Sequence, residues 1–216
     1  MNMFRSLDQL LRHPDESQAL NPVALLAGAI LCYVLYAVAA GFFQGGSAIA
    51  LAVLKVPLII LGSLVLCVPS LYVFTALSGA EYTPRSFASA LAGFCGVAGL
   101  LLLALMPVIW LFSVSTISLS FVVWLHVMVW IVTLFFASRF LAGTAPRARG
   151  AIGVWLVLLF FVSLQMTTYV RPVLWRAENE PLFAAEKQSF FGHLADVTRW
   201  EATPTPAGAA APEPPR

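Results

Sequence analysis

The side chains that could do chemistry in this sequence stand one at a time inside long apolar runs. Lys55 is the first of them, because a charge at the centre of a membrane span costs at least ~2.5–3.5 kcal/mol on insertion scales and so marks a functional position by default. It lies seven residues past the start of its apolar run at Ala48. That is roughly 10 Å along a helix rising 1.5 Å per residue, near enough to the surface for the aliphatic stem to carry the ammonium outward. The competing reading is a binding site. No Asp or Glu occurs in the same runs, Arg171 falls at the same level, and Gln165, Thr167 and Thr168 precede it by a turn or two. A basic pair at one depth between helices suits a lipid phosphate or another anion, so Lys55, Arg171, Gln165, Thr167 and Thr168 form the candidate binding set.

The remaining candidates have simpler explanations. An amide in lipid finds its partner across a helix interface, which makes Gln165 structural glue. His126 stands alone, without an intramembrane acid to exchange protons with, and reads as a bonded packing residue. Pro57 and Pro69 each free a backbone carbonyl, as in the broken helices of transporters, yet the two halves of the chain show no inverted repeat. Ser78-Gly79 lacks a G-x-S-G setting, and paired aspartates are absent from the apolar runs. Cys32, Cys67 and Cys95 form no C-x-x-C pair, and His13, His126 and His193 are dispersed, so no metal or cofactor is expected. No acid, base and nucleophile converge, and the expectation is a protein that is not an enzyme.

Composition explains why chemistry is scarce. Of 216 residues, 60% are hydrophobic and 10% charged, against about 25% charged in an average soluble domain. The acids skip from Glu16 to Glu81 and from Glu81 to Glu178, and a net charge of +2 leaves no clustered basic face for nucleic acid. About 20 apolar residues span a bilayer as a helix, and five runs qualify, at about 22–43, 48–77, 87–112, 117–138 and 152–170, within a domain covering 21–172. The expected fold is therefore all-α and integral to the membrane, a bundle of five transmembrane helices.

Asn21 and Pro22 mark the first helix start, and Gly93 and Gly96 permit close helix approach in the third span. Residues 1–20 place Phe4, Leu7, Leu10 and Leu11 on one helical face and predict an amphipathic surface helix; 173–201, with Phe190, Phe191, Leu194, Val197 and Trp200, predict a second. Residues 202–216 are Ala, Pro, Thr and Gly with hardly a large side chain, the composition of a disordered tail.

Lysine and arginine enrichment on the cytoplasmic side sets orientation. With the N-terminus inside, Arg5, Arg12, Arg85, Arg139, Arg147 and Arg149 are cytoplasmic, against Arg171, Arg176 and Lys187 outside. That favours a cytoplasmic N-terminus and an external C-terminus. Ala37-Val38-Ala39 fits a signal-peptide cleavage pattern, but the run before it is longer than a signal core and continues through Phe43, which argues against cleavage.

An amphipathic start with a His13-Pro14 step, followed by five spans on minimal loops over residues 4–170, resembles the Yip-type membrane proteins and their bacterial relatives. The Asp-Leu-Tyr and Gly-Tyr signatures of the eukaryotic branch are missing, with Pro69-Ser70-Leu71-Tyr72 the nearest sequence. Gln165 to Pro172 (QMTTYVRP), followed by Phe190-Phe191, also resembles the end of a set of uncharacterised bacterial membrane proteins. The first resemblance implies a non-enzymatic protein acting through membrane partners; the second implies a bacterial inner membrane. The expected function is a scaffold or accessory subunit of a membrane complex, with a lipid bilayer, a membrane-protein partner and anionic lipid as contacts. The alternative is a transport or permeation component, with Lys55, Pro57, Pro69, Gln165 and His126 lining its path.

Overall fold

A short polar residue caps the start of three of the helices. In the computed structural model, which describes residues 21–42, 48–80, 82–116, 118–169, 192, 195, 198 and 199, Asn21 accepts a hydrogen bond from the Val23 amide at 3.0 Å. Pro22 follows at the first helical position, where its missing N–H costs nothing, and α1 runs Pro22–Gly41. Thr83 caps α3 (Pro84–Ser115) by accepting from the Ser86 amide, again ahead of a proline. Ser118 caps α4 (Leu119–Thr144) through the Phe121 amide. A 3₁₀ turn, Pro146–Ala148, leads into α5 (Arg149–Tyr169).

Helix α2 (Ala48–Leu77) ends in a Schellman motif. The Ala80 amide bonds the Thr75 carbonyl and the Gly79 amide bonds that of Ala76, with Gly79 at φ +74°. A left-handed residue there needs glycine.

The described residues form no strand, and all five helices are long and apolar enough to cross a membrane. The shortest, α1 with 20 residues, is about 30 Å long, the thickness of a bilayer's hydrocarbon core. Helix α4 continues past Ser138 through Arg139, whose guanidinium lies 5.9 Å from the centre of the Phe135 ring. A helix need not stop where its apolar run does. The surface helices expected at 1–20 and 173–201 lie outside the described residues, apart from helical Gly192, Ala195, Thr198 and Arg199, as does the tail at 202–216.

The helices close into a ring. Helix α1 packs on α2 and most extensively on α3; α3 packs on α4, α4 least extensively on α5, and α5 on α2. Close approach decides two of these contacts. A Cβ on Gly99 of α3 would lie 3.2 Å from the Ala29 Cα of α1, and one on Gly41 would lie 2.8 Å from the Ile49 Cα of α2. Polarity is inverted relative to a water-soluble bundle. Leu31, Leu54, Val65, Phe135 and Phe161 face outward, whereas Ser63, Thr75, Ser89, Thr133 and Ser163 are buried. Lipid is as apolar as leucine, so small and polar residues gather where helices meet.

Candidate functional site

The interior of the ring receives side chains from all five helices. Its cavity, about 20 Å³, is lined by Tyr33 of α1, Ile60 and Leu64 of α2, Phe94 and Cys95 of α3, Thr133 of α4 and Ser163 of α5, with further apolar neighbours. Two hydrogen bonds join helices in the interior. The Tyr33 hydroxyl donates to the Cys95 carbonyl at 2.8 Å. The Trp155 indole, 0% exposed on α5, donates through Nε1 to the Cys67 carbonyl of α2 at 2.8 Å. Phe94 meets Trp155 edge to face, with ring centres 5.7 Å apart. These bonds join α1 to α3 and α2 to α5, with an aromatic contact between α3 and α5.

Closer to the α3–α4 turn, Tyr36 of α1 and His126 of α4 stand edge to face with centres 6.1 Å apart. His126 Nδ1 lies 2.8 Å from the Val122 carbonyl of its own helix, which assigns the ring hydrogen to Nδ1. The Tyr36 hydroxyl and His126 Nε2 are buried without a hydrogen-bond partner in the protein. The pair therefore leaves a hydroxyl and an imidazole acceptor buried side by side between α1 and α4.

The residues singled out from the sequence are placed apart from this centre. Lys55 is half-buried on α2, about two turns from Gly62, where α2 meets Met166 of α5. Gln165 is exposed on α5, and the hydroxyls of Thr167 and Thr168 donate to the Leu164 and Gln165 carbonyls of their own helix at 2.6 and 2.8 Å. Arg171 lies outside the described residues. Pro57 is half-buried and Pro69 exposed on α2, and neither they nor Lys55, Gln165 or His126 line the central cavity. Cys32, Cys67 and Cys95 are buried free thiols. Among the described residues no three His, Cys, Asp or Glu side chains gather in a metal-holding group.

Tyr33, Trp155, Thr133 and Ser163 carry no motif, and their one signal in the sequence is a polar atom within an apolar span. The described residues thus define an all-helical protein with five helices fit to cross a membrane, closed around a small interior. No family model, curated protein or solved structure matches the chain.

Proposed function

We propose that this protein is a non-catalytic, multi-pass protein of a bacterial inner membrane that serves as a scaffold or accessory subunit through lateral contacts of its helices. The observation that carries the reading is the interior. At about 20 Å³ the central cavity has room for a single water, and the polar candidates of a transport path lie elsewhere. The outer faces, by contrast, offer broad apolar surface with exposed aromatics such as Trp110, Phe112, Phe121 and Trp124. The layout resemblance to Yip-type proteins agrees with action through partners.

A cytoplasmic N-terminus is part of the proposal. Tyr82 and Thr144 hydroxyls, 3.1 Å apart, join the turn before α3 to the end of α4. Arg85, Arg139, Arg147 and Arg149 all belong to that end of the bundle and are exposed, the distribution favoured on the cytoplasmic side. The exposed Trp110 and Trp124, on either side of the α3–α4 turn, suit the opposite interface.

The second reading, an anion or lipid-headgroup site between helices of a transport component, draws on the packing of α2 against α5, which makes neighbours of the helices bearing Lys55 and Gln165–Thr168. One experiment separates the two. Affinity purification in mild detergent, with mass spectrometry of proteins and lipids together, yields a reproducible protein partner if the scaffold reading holds. A solitary protein carrying stoichiometric anionic lipid or solute, lost on Lys55→Gln and Arg171→Gln substitution, overturns it in favour of the second.

A further inference from the structure

Four arginines gather on one arc of the bundle. Arg85 lies in the first turn of α3, Arg139 near the end of α4, Arg147 in the 3₁₀ turn and Arg149 at the first residue of α5, and all four are exposed. The contact of the Tyr82 and Thr144 hydroxyls holds the turn before α3 against the end of α4, and α3, α4 and α5 are successive neighbours in the ring. The ends of α1 and α2 on the same side, residues 21–25 and 73–77, carry no charge. No Asp or Glu occurs among the described residues, and Glu81 is the only acid in the sequence between Glu16 and Glu178. The arc thus bears positive charge that its own helices do not neutralise.

The level of Arg139 selects what covers the arc. Helix α4 has 26 residues and is about 39 Å long, more than the ~30 Å hydrocarbon core and just short of the ~40–45 Å bilayer with its headgroups. Centred in a bilayer, it puts Thr144 among the headgroups and Arg139, five residues earlier, roughly 7.5 Å deeper, at the hydrocarbon edge. Arg139 belongs to the outward face, because its guanidinium lies 5.9 Å from the centre of the Phe135 ring, which is 55% exposed. A cation at that level reaches lipid phosphates along its aliphatic stem, whereas an acidic segment in water reaches Arg147 and Arg149 but not Arg139. The surface between is open, since a Cβ on Gly143, four residues from both Arg139 and Arg147, meets nothing within 4 Å. We propose that the arc is a docking surface for the phosphates of phospholipids with net negative charge. A zwitterionic headgroup fits it less well, because it brings an ammonium that the arginines repel. The surface rests on the helices crossing a bilayer, it holds for a scaffold and a transporter alike, and it lies at the other end of the bundle from Lys55.

The test titrates the full chain in non-ionic detergent with phosphatidylglycerol and, separately, with phosphatidylethanolamine, and counts bound lipid by native mass spectrometry. One arginine near a membrane surface is worth about fivefold in affinity for anionic lipid. Phosphatidylglycerol should therefore bind more tightly than phosphatidylethanolamine, and Arg139→Gln with Arg147→Gln should weaken it about 30-fold with little change for phosphatidylethanolamine. Arg139→Lys with Arg147→Lys keeps most of the preference, which separates charge from packing. Equal affinity of the parent for the two lipids, or a glutamine pair that binds phosphatidylglycerol as the parent does, overturns the proposal. A preference lost instead on Lys55→Gln with Arg171→Gln overturns it too, because the lipid then sits at the opposite end. A preference that emerges only with Asp8→Asn, Asp15→Asn and Glu16→Gln gives the arc to residues 1–20 of this chain and overturns the lipid as its occupant.

Discussion

Replacing Gly99 with alanine tests whether the α1–α3 contact sets the dimensions of the ring. The added Cβ would meet the Cys32 Cβ at 3.1 Å, the Ala29 Cα at 3.2 Å and the Ala29 carbonyl oxygen at 3.3 Å, all on α1. Carbon pairs are most favourable at about 3.5–4.0 Å, so α1 has to retreat by a few tenths of an ångström. Two of the three atoms are backbone and cannot rotate away. Overpacking of this kind costs ~1–3 kcal/mol, while alanine recovers ~0.8–1.0 kcal/mol of helix propensity over glycine. The balance is a loss of about 1 kcal/mol, and leucine at the same position should cost more. Gly153, on α5, is the matched control, because a Cβ there meets nothing within 4 Å and Gly153→Ala should gain up to ~1 kcal/mol. Reversible unfolding in mixed micelles, followed by circular dichroism, should separate the two alanine variants by about 2 kcal/mol. Shifts of the same sign, or a Gly99→Leu protein as stable as the parent, would refute the argument.

Other substitutions test the remaining joints. Trp155→Phe removes the bond to the Cys67 carbonyl, which keeps the Ser70 hydroxyl at 2.8 Å; the loss in the same unfolding assay should fall near the ~0.6–1.7 kcal/mol measured for hydrogen bonds between membrane helices, and no loss would deny the bond a role. Tyr33→Phe should lose a similar amount through Cys95. Gly41→Ala puts a Cβ 2.8 Å from the Ile49 Cα and should lower the yield of folded protein as well as its midpoint; normal values for both would show that the α1–α2 approach can widen freely. Single cysteines at Arg85 or Arg147 should react with an impermeant reagent only from the cytoplasmic side, and labelling from outside would reverse the proposed orientation.

The five long apolar helices were legible because fitness to cross lipid is a simple pattern, about 20 apolar residues in a helix that satisfies its own backbone. Which face of each span turns inward was not legible. In a soluble helix the apolar stripe marks the core, but here both faces are apolar and the distinction is one of size: Ala29 and Gly99 pack inside while Leu31 and Leu35 face out. The interior hydroxyls were hidden for a related reason. Thr133 and Thr144 are the same residue on the same helix, yet Thr144 bonds its own helix and Thr133 does not. A side-chain rotation governed by the neighbouring helices separates them, and no spacing in the sequence encodes it. Charge and amide make Lys55 and Gln165 conspicuous in an apolar run, whereas the tyrosine and tryptophan that join the helices, Tyr33 and Trp155, look like ordinary hydrophobes.

Pro69 shows how the same physics constrains motion. Without an N–H it cannot bond the Val65 carbonyl, and its ring crowds the preceding turn, so α2 is weakened there. A hinge would need that turn to stay free. Instead the Cys67 carbonyl, two residues before the proline, takes hydrogen bonds from Ser70 and from Trp155, and the indole is itself wedged against Phe94. Bending α2 at Pro69 would have to break a buried bond to α5 and displace an aromatic pair, both in a setting where no water stands ready to replace the lost partner. The proline thus sits in a braced turn. That bracing fits a bundle whose role is to hold a fixed outer surface toward its partners better than one that opens a path through its middle.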